Sequence, residues 1–171
     1  MVKIDLRSTV VDAGPLIHLD ELGCLDLLSS FVPLVVPSYV WGEVLTHRPD
    51  INVEAMVGCH IHQTDYDLPP KLAVMADSLG LGIGECSALS LALSEGLGMF
   101  LTDDAAARLA GESFGLRVHG TIGVVIRAMR TGDRTQSNVV ALLRELPTKS
   151  TLHISRSLLD SIVRKVSEAD R

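Results

Sequence analysis

The sequence predicts a three-layer α/β/α fold in which helices cover both faces of a central, mostly parallel sheet. Short apolar segments typical of buried strands alternate with helical patterns along the chain. Aromatic residues make up only 4% of the 171 residues, so the core must be built mainly from Leu, Val, Ile and Ala. No internal repeat, low-complexity tract or composition shift divides the chain. We therefore expect a single domain over residues 1–171, with C-terminal helices from about residue 135.

Short runs, most of them strongly apolar, are predicted as strands. Near-continuous apolar character is expected of parallel strands that are buried on both faces. The third run, which contains two histidines, is the weakest of these strand patterns. In chain order the runs are residues 9–12, 34–36, 59–63, 99–101 and 116–119.

Helical patterns fill the intervals between these runs. Pro37 or Ser38 suits the first positions of one helix, and the apolar stretch after Gly84 is typical of a buried helix. Residues 65–70 are predicted as a connector and residues 80–84 as a flexible loop. The predicted helices run from Leu16 onward and over residues 25–30, 38–45, 53–57, 71–79, 85–94, 104–112, 121–130, 138–146 and 155–166.

Composition restricts the classes of protein to which the chain can belong. No segment has the roughly 20 uninterrupted apolar residues of a membrane-spanning helix, and charges replace the apolar region of a signal peptide. Three cysteines without metal-ligand spacing indicate reduced thiols, so we expect a cytoplasmic protein with no membrane contact. A net charge of −6 argues against a conventional DNA-binding module. It is compatible with a nuclease whose acidic site is neutralised by bound cations.

Acidic residues stand at the ends of predicted strands and on two of the helices. Asp12 follows the first strand and the pair Asp103 and Asp104 follows the fourth, at the edge where open α/β sheets bind ligands. Glu43 lies on the helix after Pro37, whose Trp41, Val44 and Leu45 are expected to face the core, and Glu85 begins an apolar helix. Any one of Asp12, Glu85 and Asp104 could instead serve as a helix cap or favour a helix N-terminus.

Carboxylates that converge on one cleft repel each other unless cations neutralise them. Mg²⁺ and Mn²⁺ prefer oxygen ligands and need only a few carboxylates, because water and phosphate complete their coordination. Such ions activate water and stabilise the charge that develops on a phosphodiester during cleavage. The set of acids therefore predicts a Mg²⁺ or Mn²⁺ site at the carboxyl edge of the sheet.

Four segments around these acids resemble, in the same order, the acidic motifs of PIN domains, in a prokaryotic branch close to the VapC-like toxins. The segment after the fifth predicted strand is also similar to that branch. The four segments are VVDAGPLI from Val10, VPSYVWGEV from Val36, GIGECSALSLA from Gly82 and FLTDDAAAR from Phe100, and the fifth is VHGTIGVV from Val118.

The resemblance implies a metal-dependent ribonuclease, often the toxin of a toxin–antitoxin pair and often a homodimer. Asp12, Glu43, Glu85 and Asp104 match the catalytic acids. Asp12, Glu85 and Asp104 would be the principal metal ligands, with Glu43 binding through water or orienting the nucleophile, and Thr102 matches a supporting hydroxyl. Asp103 is an alternative or additional metal ligand, because this branch tends to carry two adjacent acids at this place.

One departure from the family pattern affects the expected activity. The family usually has Ser or Thr two residues after the first acid, and this chain has Gly14. The missing hydroxyl keeps open a catalytically weak PIN scaffold that acts as a nucleic-acid or protein-binding regulatory module. A metal-dependent phosphohydrolase of small molecules is a further alternative. Arg127, Arg130 and Arg134 form the densest basic group, which could contact RNA phosphates or be a solvated helix end.

Overall fold

The protein is described by a computed structural model covering residues 7–63 and 67–169. Its centre is a sheet of five parallel strands in the order β3-β2-β1-β4-β5. The strands are β1 (Thr9–Val11), β2 (Leu34–Pro37), β3 (Cys59–His62), β4 (Met99–Leu101) and β5 (Arg117–His119). The predicted α/β/α fold with a parallel sheet is confirmed.

Helices occupy the connections and the C-terminal part of the chain. They are α1 (Ala13–Glu21), α2 (Ser38–His47), α3 (Pro70–Leu79), α4 (Ile83–Ser94), α5 (Ala105–Ser113), α6 (Thr121–Thr131), α7 (Gln136–Lys149) and α8 (Arg156–Glu168). Two short 3₁₀ helices cover Leu25–Phe31 and Val53–Ala55. None of the helices in residues 7–63 and 67–169 has the length and apolar content needed to span a bilayer.

Several predicted boundaries differ from the structure for local reasons. α1 begins at Ala13, three positions before Leu16, because Pro15 is tolerated in a first turn where no N–H partner is required. α4 includes Ile83 and Gly84, which were predicted as loop, since Gly80 with φ +67° already ends α3. Of the predicted connector, Asp65 lies outside the described residues and Pro70 is the first residue of α3.

Leu45 was expected to face the core and is instead 41% exposed. Val40 and Val44 lie one turn apart on α2 and are fully buried, so they define its core face. Leu45 follows Val44 by about 100° around the helix axis and points away from that face. The helical prediction at residues 25–30 was also imprecise, because that segment forms a 3₁₀ helix.

The core lies on both faces of the sheet and extends into the C-terminal helices. Val10, Phe100 and Leu101 of the two central strands are fully buried. Leu143 and Leu146 on α7 are also fully buried and belong to the same hydrophobic cluster. The helices after residue 135 are therefore packed against the sheet's own core.

Strand order places the ends of β1 and β4 side by side. The chain adds β2 and β3 on one side of β1 and then returns to add β4 and β5 on the other. Val11 is paired with Leu101, and the Asp12 N–H donates to the Leu101 carbonyl over 2.9 Å. Asp12 and Thr102 thus leave the sheet at the same level, at the switch point where open α/β sheets form a crevice.

Candidate active site

Asp12 is a buried carboxylate at the carboxyl end of β1. It is 5% exposed, and its side chain does not cap α1, although the residue occupies the N-cap position. The Thr102 hydroxyl donates to Asp12 Oδ2 over 2.9 Å and accepts the Asp104 N–H over 3.1 Å. Because Thr102 is fully buried, this hydroxyl fixes both the Asp12 carboxylate and the start of the loop that carries Asp104.

The first turn of α4 approaches Asp12 closely because residue 84 is glycine. A Cβ on Gly84 would lie 2.9 Å from Glu43 Oε2 and 3.7 Å from Asp12 Oδ1. The carboxylates of Glu43 and Asp12 therefore meet at the space that the glycine leaves open. The Glu85 side chain folds back over its own helix start, with Oε2 2.6 Å from the position of a Cβ on Gly82.

The negative charges of these acids act on Asp12 and Glu43. Burial, followed by the negative charge of Glu85, raises the pKa of Asp12 to about 7, and Glu43 adds to the effect. Hydrogen bonds from Ala13 and Thr102 oppose this shift only in part. Burial and the charge of Glu85 also raise the pKa of Glu43. Within residues 7–63 and 67–169 no lysine or arginine forms an ion pair with Asp12, so its charge is uncompensated.

Asp104 is exposed and lies close to Asp12, because the Thr102 hydroxyl forms hydrogen bonds with both residues. We refer to Asp12, Glu43, Glu85 and Asp104 together as the acidic cluster. One of its oxygens, Oδ1, accepts the Ala107 N–H over 2.7 Å and so caps α5. Oδ2 makes no hydrogen bond among the residues that the structure describes, which leaves it available to a ligand. The two expectations for Asp104, a cap and a metal ligand, are therefore compatible.

Asp103 has a different environment from its neighbour. Its Oδ1 accepts the Thr121 N–H over 2.7 Å, and its Oδ2 accepts the Thr121 hydroxyl over 2.6 Å. The same Oδ2 lies 2.8 Å from His18 Nδ1, and the Asp103 side chain is 12% exposed. Both oxygens are thus engaged by α1 and by the first residue of α6.

Gly14 is explained by the position of Asp103. A Cβ at residue 14 would lie 3.3 Å from the Asp103 Cβ and 3.4 Å from Asp103 Oδ2. Serine or threonine would require a shift of a few tenths of an ångström in the His18–Asp103–Thr121 group. The place where the family pattern has a hydroxyl is therefore in contact with the Asp103 side chain.

The donor set fits a hard divalent cation in its chemistry. All four candidate catalytic residues supply carboxylate oxygens, and the space beside Gly84 separates two of them. As they stand, no three His, Cys, Asp or Glu side chains within the described ranges are close enough together to hold an ion. Glu43 and Glu85 have long side chains, and a change of rotamer would redirect their carboxylates.

Sequence reasoning missed His18, Thr121 and Gly84 as parts of the site. His18 and Asp103 are 85 positions apart, and no local pattern signals such a contact. Thr121 lies at the start of a predicted helix, and helix N-termini favour carboxylates. The sequence did not indicate which carboxylate would bind there. Gly84 could have been noticed as a small residue in the first turn before Glu85.

Comparison with known proteins identifies a matching family. The model of the family DUF3368, described as PIN domain, matches residues 8–168. No curated protein and no solved structure gives a significant match.

Proposed function

The chain belongs to the PIN-domain family, and from this premise we propose that it is a ribonuclease dependent on Mg²⁺ or Mn²⁺. Family membership indicates a nuclease in general, and PIN domains generally use divalent metals. The finer assignments are ours: RNA as the substrate, Asp12, Glu85 and Asp104 as ligands, and Glu43 binding through water or orienting the nucleophile.

The observation that carries the proposal is the environment of Asp12. Its carboxylate is buried at the switch point of the sheet, beside Glu43 and Glu85, and has no basic partner among the described residues. A buried carboxylate beside two other acids is costly, since each charge disfavours the next. A divalent cation removes that cost.

Each residue of the candidate site has a distinct part in this proposal. The Thr102 hydroxyl holds Asp12 Oδ2, so Oδ1 remains on the side of Gly84 and Glu43. Asp104 retains one unbonded oxygen while its other oxygen caps α5. Glu85 would hold the ion together with Asp12 and Asp104, and Glu43 would bind it through water or orient the nucleophile. When bound, such an ion would lower the pKa of the attacking water and stabilise the charge that develops on the phosphate.

We assign the ligand role to Asp104 rather than Asp103. The Asp103 oxygens already accept three contacts from His18 and Thr121, and breaking these would leave buried donors without acceptors. Asp104 is exposed and requires no such loss.

Access to the site favours a polymer over a small phosphate ester. Glu43 and Asp104 are exposed at the edge of the sheet, which leaves the cluster open to an extended strand. Small-molecule sites instead bury most of their ligand.

Cleavage of a structured RNA with Mg²⁺ or Mn²⁺, and again with excess chelator, tests the proposal. We expect cleavage that requires the ion and stops with chelator. Cleavage of p-nitrophenyl phosphate but not RNA would support the small-molecule phosphohydrolase. Absence of both activities would support a catalytically weak scaffold.

The resemblance to VapC-like toxins supports a finer proposal, that the protein is a cytoplasmic, homodimeric toxin bound by an antitoxin. Two large hydrophobic side chains near the acids are exposed: Ile83, two residues before Glu85, by 57%, and Tyr39, one turn before Glu43, by 45%. A protein partner would cover such side chains. None of the three cysteines forms a disulfide. Size-exclusion chromatography of the protein alone tests whether it forms a homodimer. Co-expression with any small protein encoded next to it, followed by the same chromatography, tests whether it binds an antitoxin.

A further inference from the structure

A groove of about 350 Å³ lies between β5 and the segment that joins α7 to α8. Asp103 and Gly120 are among the residues that line it, and Asp103 is the sequence neighbour of Asp104. The Thr102 N–H donates to the His119 carbonyl over 2.9 Å, and the Thr102 hydroxyl donates to Asp12. Thr102, the residue after β4, therefore connects His119 of the groove with Asp12. The groove and Asp12 thus lie at the carboxyl ends of strands in the same part of the sheet.

Arg108 gives the groove a fixed positive charge. Its guanidinium donates to the Val118 carbonyl over 3.2 Å and to the Thr102 carbonyl over 3.5 Å, and the side chain is 38% exposed. Arg108 also forms an ion pair with Glu112, but the distance from Arg108 Nη1 to Glu112 Oε1 is 3.7 Å, which is too long for a good hydrogen bond. The guanidinium has five N–H donors, so it retains capacity for a phosphate oxygen.

The surroundings of Arg108 are electropositive in a chain whose net charge is −6. Burial and the charges of four arginines lower the pKa of His119; these arginines are Arg108, Arg127, Arg117 and Arg130. Arg127 also lies over the Phe31 ring, which is 6.4 Å from the His119 ring. Among the described residues that line the groove, the one acid is Asp103, and both of its oxygens are engaged by His18 and Thr121.

The segment that joins α7 to α8, with the start of α8, gives the groove an apolar wall. This wall is formed by Leu152, Ile154 and Leu158, and Leu158 is 53% exposed. His119 and His153 add two imidazole rings. A positive charge beside an apolar wall with flat rings matches a nucleotide, which has a phosphate at one end and a stacking base at the other.

We propose that this groove binds an unpaired nucleotide of the RNA next to the cleaved bond, with its phosphate on Arg108 and its base against Leu158 and His119. This inference rests on the proposed function and assigns Arg108, His119 and Leu158 a part in binding the RNA beside the cleavage site. A base inside a duplex is stacked and cannot enter the groove.

RNA binding by the Asp12→Asn variant tests the groove without requiring cleavage. The probe is a short fluorescent single-stranded RNA of mixed sequence, compared with the same strand annealed to its complement. We expect Leu158→Ser to weaken binding of the single strand about tenfold, as for loss of contact with one base. The matched control is Leu109→Ser on α5, because Leu109 is 54% exposed and does not line the groove.

Arg108 provides a second variant. Arg108→Gln should weaken binding about tenfold and make it less sensitive to salt, because one phosphate contact is lost. The control is Glu112→Gln, which removes the ion pair between Arg108 and Glu112 but keeps the arginine. This variant should bind the RNA as tightly as the parent protein does. Circular dichroism of each variant checks that the fold is retained.

Equal affinities for Leu158→Ser and Leu109→Ser would overturn the proposal and leave the groove as a surface for a protein segment. Duplex binding that depends equally on Leu158, or no RNA binding at all, would also overturn it. An RNA that binds through the groove but is never cut by the wild-type protein would instead contradict the proposed ribonuclease activity.

Discussion

At the residue scale, Asp12 differs in proton affinity between the folded and the unfolded chain. Burial and the charge of Glu85 raise its pKa from 3.8 to about 7. The folded protein therefore keeps a proton that the unfolded chain releases between these values. Without divalent ions, the free energy of unfolding should fall by up to a few kcal/mol as the pH rises from about 4 to about 7. Urea denaturation in chelator across this range measures the fall.

The neutral variant Asp12→Asn is the control, and it should lose most of this pH dependence. Glu43 retains a smaller contribution of the same sign, since its pKa is also raised. Added Mg²⁺ or Mn²⁺ should recover stability at neutral pH in the wild type by mass action, and not in the variant. The same pH slope in both proteins would show that Asp12 is not the group responsible.

The adjacent residues Asp103 and Asp104 should respond differently to the same substitution. Asp104→Asn keeps an N-cap oxygen, so stability should change by less than about 0.5 kcal/mol while RNA cleavage is lost. Asp103→Asn weakens the contacts with His18 and Thr121 and should cost about 1–3 kcal/mol of stability. Denaturation midpoints and cleavage rates of both variants separate the roles. A stable but inactive Asp103→Asn protein would make Asp103 the ligand.

The sequence predicted that acids would stand at strand ends, because a run of apolar residues followed by Asp is a local pattern. It could not assign Asp103 and Asp104, which are neighbours with opposite surroundings. Their difference depends on His18 and Thr121, which belong to distant parts of the chain.

At the element scale, α4 approaches α2 and β1 through Gly84. Gly84→Ala should stabilise the helix by up to about 1 kcal/mol, because alanine favours helix and Glu43 is flexible enough to move. The added Cβ occupies the space between Glu43 and Asp12, so metal-dependent cleavage should fall at least tenfold. Thermal denaturation and cleavage assays measure both effects.

Gly42→Ala on α2 is the matched control for this substitution. A Cβ there would meet nothing within 4 Å. The variant should gain similar helix stability and keep full activity. Equal activity of the two alanine variants would show that the space beside Gly84 has no part in the site.

Element positions could largely be predicted, since apolar periodicity and capping residues are local. β4 begins and ends where predicted, at Met99–Leu101. Boundaries failed where tertiary packing decides the outcome, as at the start of α4. The outward position of Leu45 followed the same rule, because the neighbours of α2 select which of its apolar residues are buried.

At the whole-molecule scale, strand order brings the acids together. Alternating strands and helices predicted a parallel sheet, but not that β1 lies between β2 and β4. The strand order depends on whether each crossover connection places the next strand on one side of the sheet or on the other. The composition of a short connection does not indicate that side. The net charge of −6 likewise conceals a separation between an acidic cluster and the arginines around His119.

Asp12 is proposed to serve RNA cleavage through a divalent ion. Single-turnover cleavage of RNA with saturating Mn²⁺ should be at least about a hundredfold slower for Asp12→Asn than for the wild type, a loss of about 2.7 kcal/mol in transition-state stabilisation. Asp77→Asn changes an exposed aspartate on α3 and should cleave at the wild-type rate. A folded Asp12→Asn protein that cleaves as fast as the wild type would contradict the claim.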